Sequence, residues 1–270
     1  MATAVEAARS AAQAREQPVR KLEGRAALIV GASRGIGAAT AAALSAQGAH
    51  VVLAARSVEP MEQTAARLRA RGGEVRVIRV DVTEGAAIAA AVELCTREFG
   101  RLDIAVNNAA ANNVRVALHD ISDDMFDAVL ATNLRGVFLA MKYEIRAMLA
   151  TGGGNIINTA SAASLVAFPN MGAYVASKHA VAGITKAAAL EYAAQHIRVN
   201  AVAPGAVLTE MLLAGSASTP EGRARVEALT PMRRIADPEE VAAAIAWLAS
   251  DDASYVTGAV LPVDGGYTLP

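Results

Sequence analysis

The stretch "ALIVGASRGIG", residues 27–37, decides the fold, because an apolar run changes directly into a glycine-rich segment. Glycine stands at 31, 35 and 37, where a chain that leaves a buried strand must turn tightly to start a helix. The free N–H groups of a helix N-terminus attract anions, and glycine lets the backbone approach a phosphate closely. The spacing is G-x-x-x-G-x-G rather than G-x-G-x-x-G, and it predicts a strand, a phosphate-binding turn and a helix.

Outward from this stretch, the chain alternates short β-branched runs with long segments rich in Ala and Leu. Apolar strands that are separated by helix-length connections indicate a parallel sheet covered on both faces. The pattern predicts an α/β fold of the Rossmann type, a doubly wound, seven-stranded parallel sheet with helices on both faces. Strands are predicted at 26–30, 50–55, 74–80, 102–106, 155–160, 197–203 and 259–263, and helices at 35–47, 60–71, 84–99, 123–149, 171–195 and 237–249.

One sheet without a linker-like break predicts a single domain over residues 21–270. Residues 1–20 are Ala-rich and lack the apolar core of a secretory signal, so we expect a flexible extension there. A transit peptide is the weaker alternative, because Glu6 and Glu16 lie in this segment. Residues 208–236 interrupt the alternation with Gly, Ser and Pro. They are predicted to form a flap over a substrate at the carboxyl ends of the strands, the alternative being a passive surface excursion.

The composition excludes several classes of function. A formal net charge of −1 and a pI near 6.4 argue against attraction of the whole chain to nucleic acid or anionic membranes. No apolar run approaches the length of about 20 residues that a membrane span needs. A single cysteine, Cys95, excludes an internal disulfide, and four scattered histidines predict no metal site. We expect a cytoplasmic protein.

The end of the second strand bears on the choice of a nucleotide. An acid at this position would bind the adenosine ribose, whereas a nearby arginine accommodates a 2′-phosphate. Here Ala55 occupies the position of the acid, Arg56 follows it, and Arg34 lies in the glycine turn. Two guanidinium groups that bracket one phosphate favour NADP(H) over NAD(H), and the alternative is that both are solvated surface charges. Asp81, which closes strand three, is placed to meet the adenine.

Several motifs occur in the order that is typical of the short-chain dehydrogenase/reductase family, and the chain resembles that family from about Leu22 to its C-terminus. A lone Y-x-x-x-K would arise often by chance, but several motifs in register are specific. The motifs are "GASRGIG" (31–37), "DV" (81–82), "NNAA" (107–110), Asn133, the set Ser161, Tyr174 and Lys178, "PGAVLT" (204–209) and "YVTGAVLPVDGG" (255–266).

The resemblance implies where a nicotinamide cofactor binds: at the glycine turn, at the ends of the next strands, at the Tyr–Lys pair and after strand six. With the arginine argument, the predicted cofactor-binding residues are Gly31, Ser33, Arg34, Gly35, Ile36, Gly37, Arg56, Asp81, Val82, Asn108, Ala109, Tyr174, Lys178, Pro204, Gly205, Val207 and Thr209. Thr209 and the backbone at Val207 are matched to positions that hold the nicotinamide carboxamide.

The resemblance also implies the catalytic roles of four residues. Tyr174 is the general acid in carbonyl reduction and the base in alcohol oxidation, Ser161 donates to the carbonyl oxygen, and Lys178 holds the nicotinamide ribose. Asn133 would fix a water that passes protons onward. Because Tyr174 and Lys178 are four apart on a predicted helix, they share a face. An ammonium about 4 Å from the phenol, at an effective dielectric near 20, would stabilise the phenolate by roughly 4 kcal/mol. We therefore expect a lowered pKa for Tyr174.

Two ambiguities remain within these motifs. Ser164 is a rival for Ser161, but the interval of thirteen residues before Tyr174 favours Ser161. The chain also departs from the family twice, since Val30 replaces a threonine before the glycine turn and Ala110 replaces the glycine of an N-N-A-G motif. In the family that threonine contacts the N-N-A-G backbone, so the two changes are expected to alter the cofactor floor together.

The expected activity is NADPH-dependent reduction of a carbonyl, most similar to that of 3-oxoacyl-carrier-protein reductases and ketone reductases. The alternatives are an alcohol, sugar or steroid dehydrogenase working oxidatively, a nucleotide-binding sensor without turnover, and an epimerase or dehydratase. We expect a medium-sized apolar or aromatic ketone. The resemblance suggests a homotetramer, or else a homodimer, packed through helices at 84–149 and the C-terminal region. The pocket is predicted from Asn112, Asn113, Leu165, Phe168, Met171 and Met211–Leu213.

Overall fold

The computed structural model of the chain describes residues 20–111 and 115–269. Nearly all of the predicted extension, residues 1–19, lies outside the described residues, and so do the pocket residues Asn112 and Asn113.

One parallel sheet of seven strands organises the described residues, in the order β3-β2-β1-β4-β5-β6-β7. This confirms the predicted Rossmann-type fold. The order reverses between β1 and β4, and in such sheets the ligand crevice lies at that switch point, outside the carboxyl ends of the strands. The strands are β1 Ala26–Val30, β2 His50–Ala55, β3 Val75–Arg79, β4 Ile104–Asn107, β5 Gly154–Thr159, β6 Ile197–Pro204 and β7 Val260–Val263.

Helices cover both faces of the sheet, because β1, β2, β4, β5 and β6 are buried on both sides along most of their length. On one face α1, α2 and α9 pack around Leu44, Met61 and Ile245. On the other face α3, α5 and α6 pack around Ile88, Met148 and Val181. The helices are α1 Gly35–Ala46, α2 Val58–Arg69, α3 Gly85–Phe99, α4 Asp123–Leu130, α5 Gly136–Thr151, α6 Gly172–Tyr192, α7 Glu210–Ala214, α8 Pro220–Leu229 and α9 Pro238–Ala249.

The continuous helix predicted over 123–149 is wrong in one respect. A π-helical turn, Ala131–Arg135, separates α4 from α5. Such turns are rare and often mark functional sites, and here the turn contains the buried Asn133. Hydrophobic periodicity does not reveal a wider turn, because the apolar residues on either side of it keep helical spacing.

Residues 208–236 form a segment between β6 and α9 whose two ends are paired with each other. An isolated parallel bridge joins Val207 to Ala236, and the Leu208 N–H donates to the Ala236 carbonyl at 2.8 Å. Between these ends lie the short helices α7 and α8, neither of which has a buried residue. The segment, called the flap below, is therefore a largely exposed excursion whose two ends are held together, and Ala217, Thr230 and Ile235 are its buried residues.

No helix within residues 20–111 and 115–269 combines the length and the apolar composition that crossing a lipid bilayer requires.

Candidate active site

The glycine turn between β1 and α1 packs tightly against the loop that follows β4. Gly31 has φ +87°, and a Cβ at this position would lie 2.5 Å from the Ala109 backbone nitrogen. A Cβ at Gly37 would lie 2.1 Å from the Gly31 carbonyl oxygen. The Asn108 side-chain amide donates to that same carbonyl at 3.0 Å. Only glycine fits at 31 and 37, because the backbone itself fills the space that a side chain would need.

The N-terminus of α1 has free N–H groups and no acidic residue of its own in the first turn. Arg34 occupies the N-cap position, and it makes no side-chain capping bond. The first turn of the helix contains no acidic residue, and Ser33 and Ile36 beside it are partly buried. These features fit a pyrophosphate, which would supply the missing acceptors.

The ends of β2 and β3 provide groups for the adenosine half of a dinucleotide. Asp81 accepts hydrogen bonds from the Thr83 N–H at 3.0 Å and from the Thr83 hydroxyl at 2.8 Å, both through Oδ1. These bonds, with a smaller contribution from the nearby charge of Arg56, lower the pKa of Asp81 below its ordinary value. Its second oxygen, Oδ2, remains available as an acceptor, while Arg56 is exposed and Val82 is buried.

The Arg34 side chain has a partner in the flap. Its guanidinium forms an ion pair with Glu210, the first residue of α7 in the flap. The methyl group of Thr209 packs over Gly35 beside this pair, 3.0 Å from where a Cβ would lie. The predicted arrangement, in which Arg34 and Arg56 bracket one phosphate, is therefore not formed in this structure. The Arg34 guanidinium is paired instead with Glu210, an acid far away in the sequence.

Tyr174 and Lys178 lie on the first two turns of α6 and face the carboxyl ends of β4 and β5. The Lys178 amine is 5.8 Å from the centre of the Tyr174 ring, and it donates to the Thr159 carbonyl at 2.8 Å. Lys178 is 2% exposed, so the helix delivers a charged group into the protein interior. The backbone of β5 thus anchors the lysine beside the phenol.

The expectation of an acidic Tyr174 is wrong for this structure. Burial raises the pKa of the phenol above its ordinary value, and a hydrogen bond with Ser161 opposes that shift only in part. Burial also lowers the pKa of Lys178 to about 8, so the amine loses its positive charge as the pH rises past that value. Desolvation is the largest influence on both groups, and the lysine amine makes its hydrogen bond to the Thr159 carbonyl.

The structure separates the two candidate serines. Ser161 lies beside Tyr174, and its hydroxyl also accepts from the Ala163 N–H at 3.1 Å. Ser164 is 5% exposed, and its hydroxyl donates to the Ser161 carbonyl. Since Ser164 is occupied within its own turn, the geometry favours Ser161 as the residue that meets a substrate.

Asn133 links three parts of the site from within the π-helical turn. It is fully buried; its Oδ1 accepts from the Ala111 N–H at 2.7 Å and its Nδ2 donates to the Ser177 hydroxyl at 3.3 Å. Ser177 in turn donates to the Tyr174 carbonyl at 2.7 Å. The side chain therefore ties the loop after β4 to the helix that carries Tyr174, and its polar atoms are both engaged.

The segment after β6 completes the rim of the crevice. The Gly205 N–H donates to the Val263 carbonyl at 3.1 Å, and a Cβ there would approach the Asp264 Cα to 2.8 Å. Pro204 ends β6, and Val207 is buried at the base of the flap. The Thr209 hydroxyl accepts from the Leu212 N–H at 3.3 Å and so caps α7.

Three contacts on the substrate side were not found from the sequence. Arg115 donates to the Ser216 hydroxyl in the flap at 3.1 Å, and Phe168 packs against Tyr267 with ring centres 5.6 Å apart. The Val116 N–H donates to the Asn170 carbonyl at 3.0 Å. They join the loop after β4, the loop before α6, the flap and the C-terminal segment around Tyr174. Pairing between distant loops leaves no periodic signal in the sequence.

A second missed feature is a buried polar network beneath the site. Asn107 at the end of β4 donates to Glu144 on α5 and to Asn158 on β5, each at 3.0 Å. Asn158 donates to the Thr185 hydroxyl on α6 at 2.9 Å. One signal could have indicated it: Glu144 stands at a core position of α5, in register with Ala140 and Met148.

The two departures from the family motifs leave the backbone intact. Val30 is 2% exposed, and its carbonyl accepts from the Asn108 N–H at 2.8 Å. Ala110 is not among the residues with positive φ, so alanine fits there without strain. Both changes are tolerated, and Val30 borders a small cavity of about 10 Å³ together with Asn107, Ala109 and Thr132.

Within residues 20–111 and 115–269, no three His, Cys, Asp or Glu side chains come together as a metal site would require. Cys95 is buried, and burial raises the pKa of its thiol to about 12.

Known proteins resemble the chain over most of its length. A family model described as Enoyl-(Acyl carrier protein) reductase matches residues 31–268. The A-factor type gamma-butyrolactone 1'-reductase (1S-forming) of Streptomyces virginiae is 46% identical over 249 residues, which cover 92% of this chain and 97% of that protein. The cyclohexanol dehydrogenase of Acinetobacter sp. (strain SE19) is 42% identical, with 92% and 96% covered. An actinorhodin polyketide ketoreductase solved with NADPH superposes with a TM-score of 0.87 at 36% identity, covering 91% of this chain and 98% of that one.

Proposed function

This chain belongs to the short-chain dehydrogenase/reductase family, and we propose that it reduces a medium-sized apolar ketone with NADPH. One observation carries the proposal: α6 brings Tyr174 and Lys178 beside Ser161, at the same sheet edge as the glycine turn. An acid, a hydroxyl donor and a nucleotide cradle thus border one crevice.

The residues divide the work of carbonyl reduction. A bound nicotinamide supplies the hydride. Tyr174 donates a proton to the carbonyl oxygen, and Ser161 donates a hydrogen bond to the same oxygen as negative charge develops there. Lys178 holds the nicotinamide ribose. Asn133 holds the helix of Tyr174 against the loop after β4, and its place beside the site suits the proposed water path.

The protonation state of the phenol supports the reductive direction. Because burial raises the pKa of Tyr174, the side chain is a protonated acid at neutral pH. Reduction consumes that proton, whereas oxidation of an alcohol requires the phenolate. The oxidative alternative, which the cyclohexanol dehydrogenase among the relatives keeps open, is therefore expected to need alkaline pH.

The proposed preference for NADPH relies on Arg56 and on the lack of an acid at Ala55. An exposed guanidinium at this position is available to a 2′-phosphate, and no carboxylate at the end of β2 repels it. Arg34 would join after leaving Glu210. The NADPH-bound ketoreductase with a related fold supports the proposal.

The proposed substrate has an apolar body and one carbonyl group. Leu165 and Met211 are each 40% exposed and Leu213 is 44% exposed, so apolar surface of the proposed pocket and flap is available to cover a ligand. The two relatives named above are named for ring compounds, a gamma-butyrolactone and cyclohexanol. We propose cyclic or aromatic ketones before 3-oxoacyl compounds, and free sugars last.

Loss of NADPH absorbance against a panel of carbonyls tests the activity. The panel spans cyclic ketones, quinones, steroids, acyl thioesters and sugars. Turnover of polyols alone would contradict the proposed substrate class. Binding of NADPH without turnover on any carbonyl would instead support the sensor.

Replacing the proposed acid gives the decisive variant. Tyr174→Phe should lower kcat by about 10²- to 10⁴-fold, because proton transfer by a positioned side chain contributes that much. Binding of NADPH, followed by fluorescence, should be nearly unchanged. Tyr255→Phe is the matched control, since Tyr255 is fully exposed and is not one of the proposed site residues. A Tyr174→Phe variant with full rate would refute the assignment.

We further propose that the chain is a cytoplasmic homotetramer, with a homodimer as the alternative. Phe138, Leu149 and Leu190 on α5 and α6 expose 44–86% of their surfaces, which supports association through these helices. Light scattering coupled to size exclusion measures the number of subunits, and a monomer at micromolar concentration would contradict the proposal.

A further inference from the structure

Glu144 is a buried acid to which the proposed reaction assigns no role. It lies on α5 with no exposed surface, and Asn107 Nδ2 donates to its Oε2 at 3.0 Å. An ionised carboxylate in such a place needs partners for both oxygens, since burial of an unpaired charge is strongly unfavourable. Among the described residues, Oε1 of Glu144 has none.

The amide that Glu144 contacts has the same deficiency. Asn107 uses Nδ2 for two bonds, to Glu144 and to Asn158, while its Oδ1 is buried and has no partner among the described residues. Glu144 and Asn107, which already share one hydrogen bond, thus each have one acceptor atom without a donor. One proton on Oε1 would satisfy both, because a carboxylic acid can donate to the amide oxygen while it accepts from the amide nitrogen.

The ionisable groups around Glu144 do not provide a compensating charge. The strands β4 and β5 contribute the neutral Asn107 and Asn158, and α6 contributes Thr185 to the network. Cys95 on α3 lies in the buried cluster that also contains Ile145 and Met148 of α5, and it is an uncharged thiol because burial raises its pKa to about 12. Lys178 on α6 directs its amine to the Thr159 carbonyl.

Asn107 and Asn158 each immediately precede a residue whose hydrogen bond shapes the active site. Asn107 precedes Asn108, whose side chain holds the Gly31 carbonyl, and Asn158 precedes Thr159, whose carbonyl holds Lys178. A bond that fixes Asn107 against α5 therefore fixes the ends of β4 and β5 on which the cofactor floor and the lysine depend.

We propose that Glu144 is a positioning residue that acts as a neutral carboxylic acid, closing an acid–amide pair with Asn107 beneath the cofactor floor. The role in catalysis presupposes the proposed function, whereas the acid–amide pair does not. Burial raises the pKa of Glu144 to about 7, so the pair is complete in mildly acidic solution and opens as the pH rises past neutrality.

The sign of the pH effect on stability follows from this shift. The folded protein holds the proton of Glu144 up to about pH 7, whereas the unfolded chain releases it near 4.5. The contribution to the free energy of unfolding is therefore complete below 4.5, falls as the pH rises from 4.5 to 7, and falls no further above 7.

Glu144→Gln tests the pair directly, because glutamine is neutral, nearly isosteric and able both to donate to and to accept from Asn107. Urea denaturation of the full chain from pH 4.5 to 8 should show a falling midpoint in the native protein and a flatter profile in Glu144→Gln. Glu93→Gln on α3 is the control, since Glu93 is an exposed glutamate of the neighbouring helix, and it should reproduce the native profile. Equal slopes in the native protein and Glu144→Gln would overturn the proposal.

Infrared spectroscopy gives a second readout, of the protonation state itself. A buried carboxylic acid has a carbonyl band distinct from that of a carboxylate, and it should be present at pH 5, absent in Glu144→Gln, and lost on raising the pH to 8.5. A native protein without this band would mean that Glu144 is ionised, with a water in the adjoining small cavity as its partner, and would also overturn the proposal.

The positioning role is measured by steady-state kinetics. Between pH 6.5 and 8.5 the KM for NADPH should rise more steeply in the native protein than in Glu144→Gln, because the titration of Lys178 is common to both forms and that of Glu144 is not. Glu144→Leu, which leaves Asn107 without its partner, should lower kcat/KM by up to about 100-fold through misplacement. Full kcat/KM in Glu144→Leu would remove the positioning role. If no carbonyl is reduced by any form while the stability and infrared results hold, the proposed function fails and the acid–amide pair stands.

Discussion

The site has two walls built on opposite principles. The catalytic wall, formed by the ends of β4 and β5 with α6, holds its groups by buried hydrogen bonds, and α6 alone buries eight residues, Ser177, Lys178 and Thr185 among them. The flap buries no residue in α7 or α8. Elements with few buried contacts open at low free energy, whereas buried networks hold one geometry. The residues proposed for catalysis therefore lie in the wall with a fixed geometry. The flap, which is proposed to cover the substrate, lies where the chain can change its conformation.

The bonds between the walls and the rest of the protein follow the same division. Asn133 and Lys178 make hydrogen bonds in the interior. The flap is held to the glycine turn by the exposed Arg34–Glu210 pair and to the loop after β4 by Arg115 and Ser216. Exposed ion pairs contribute about 0–1 kcal/mol each. Substitutions in the catalytic wall should therefore affect stability and turnover together, and those in the flap should affect binding alone.

The largest effect is expected at Asn133. Asn133→Ala leaves the Ala111 N–H and the Ser177 hydroxyl without their buried partner, which should lower the free energy of unfolding by about 1–3 kcal/mol. Turnover should fall as well, because Ser177 positions the backbone of Tyr174. Chemical denaturation and kcat measure the two effects. Asn133→Asp keeps the acceptor for Ala111 but replaces the donor to Ser177 with a buried carboxylate, so it should not restore the stability at neutral pH. A fully stable, fully active Asn133→Ala would remove the contrast between the walls.

An intermediate effect is expected at Arg56, which follows β2 on the proposed adenosine side of the site. Arg56→Ala should weaken NADPH by about 10- to 100-fold, since a hydrogen bond to a charged group contributes about 1.5–3 kcal/mol. NADH should be nearly unaffected. Arg71→Ala, at an exposed position just beyond α2, is the control. Equal losses for both nucleotides would show that Arg56 does not read the phosphate.

Glu210→Gln sharpens the same comparison from the side of the flap. Loss of the carboxylate frees Arg34 for a 2′-phosphate, so NADPH should bind a few-fold more tightly, within the range of about 0–1 kcal/mol that exposed pairs cover. The melting temperature should not change. Weaker NADPH binding would mean that Glu210 holds the flap in its binding position rather than competing with the phosphate.

The smallest effect on ligand affinity is expected at Leu213. Leu213 and Leu149 are both 44% exposed, the first in the flap and the second on α5, so they form a matched pair. Leu213→Ala should alter the free energy of unfolding by less than about 0.5 kcal/mol. Only Leu213→Ala should raise the KM of an apolar ketone. A higher KM in both, or in neither, would mean that the flap does not contact the substrate.

The sheet and the line of motifs could be predicted because they depend on local pattern. Apolar runs predicted all seven strands, and glycine spacing predicted the turn at 31–37. The strand predicted at 102–106 is shifted to Ile104–Asn107, since the paired β1 rather than hydropathy determines where it begins.

The features that were missed depend on contacts between distant segments. The π-helical turn places Asn133 against Ala111, and Arg34 meets an acid 176 residues away. The pKa of Tyr174 was expected to fall because charge was considered without burial. An acid at a core position of α5 could have been noticed, but its partner Asn107 is supplied by the order of the strands, which no local pattern contains.

The bridge between Val207 and Ala236 has a consequence for how such a protein diversifies. A segment whose two ends meet at one backbone pairing can be lengthened, shortened or exchanged while β6, α9 and the crevice keep their register. Relatives with different substrates could therefore differ in this one segment. A chimera joined at Val207 and Ala236 would take its substrate selectivity from the exchanged flap and keep the same catalytic residues.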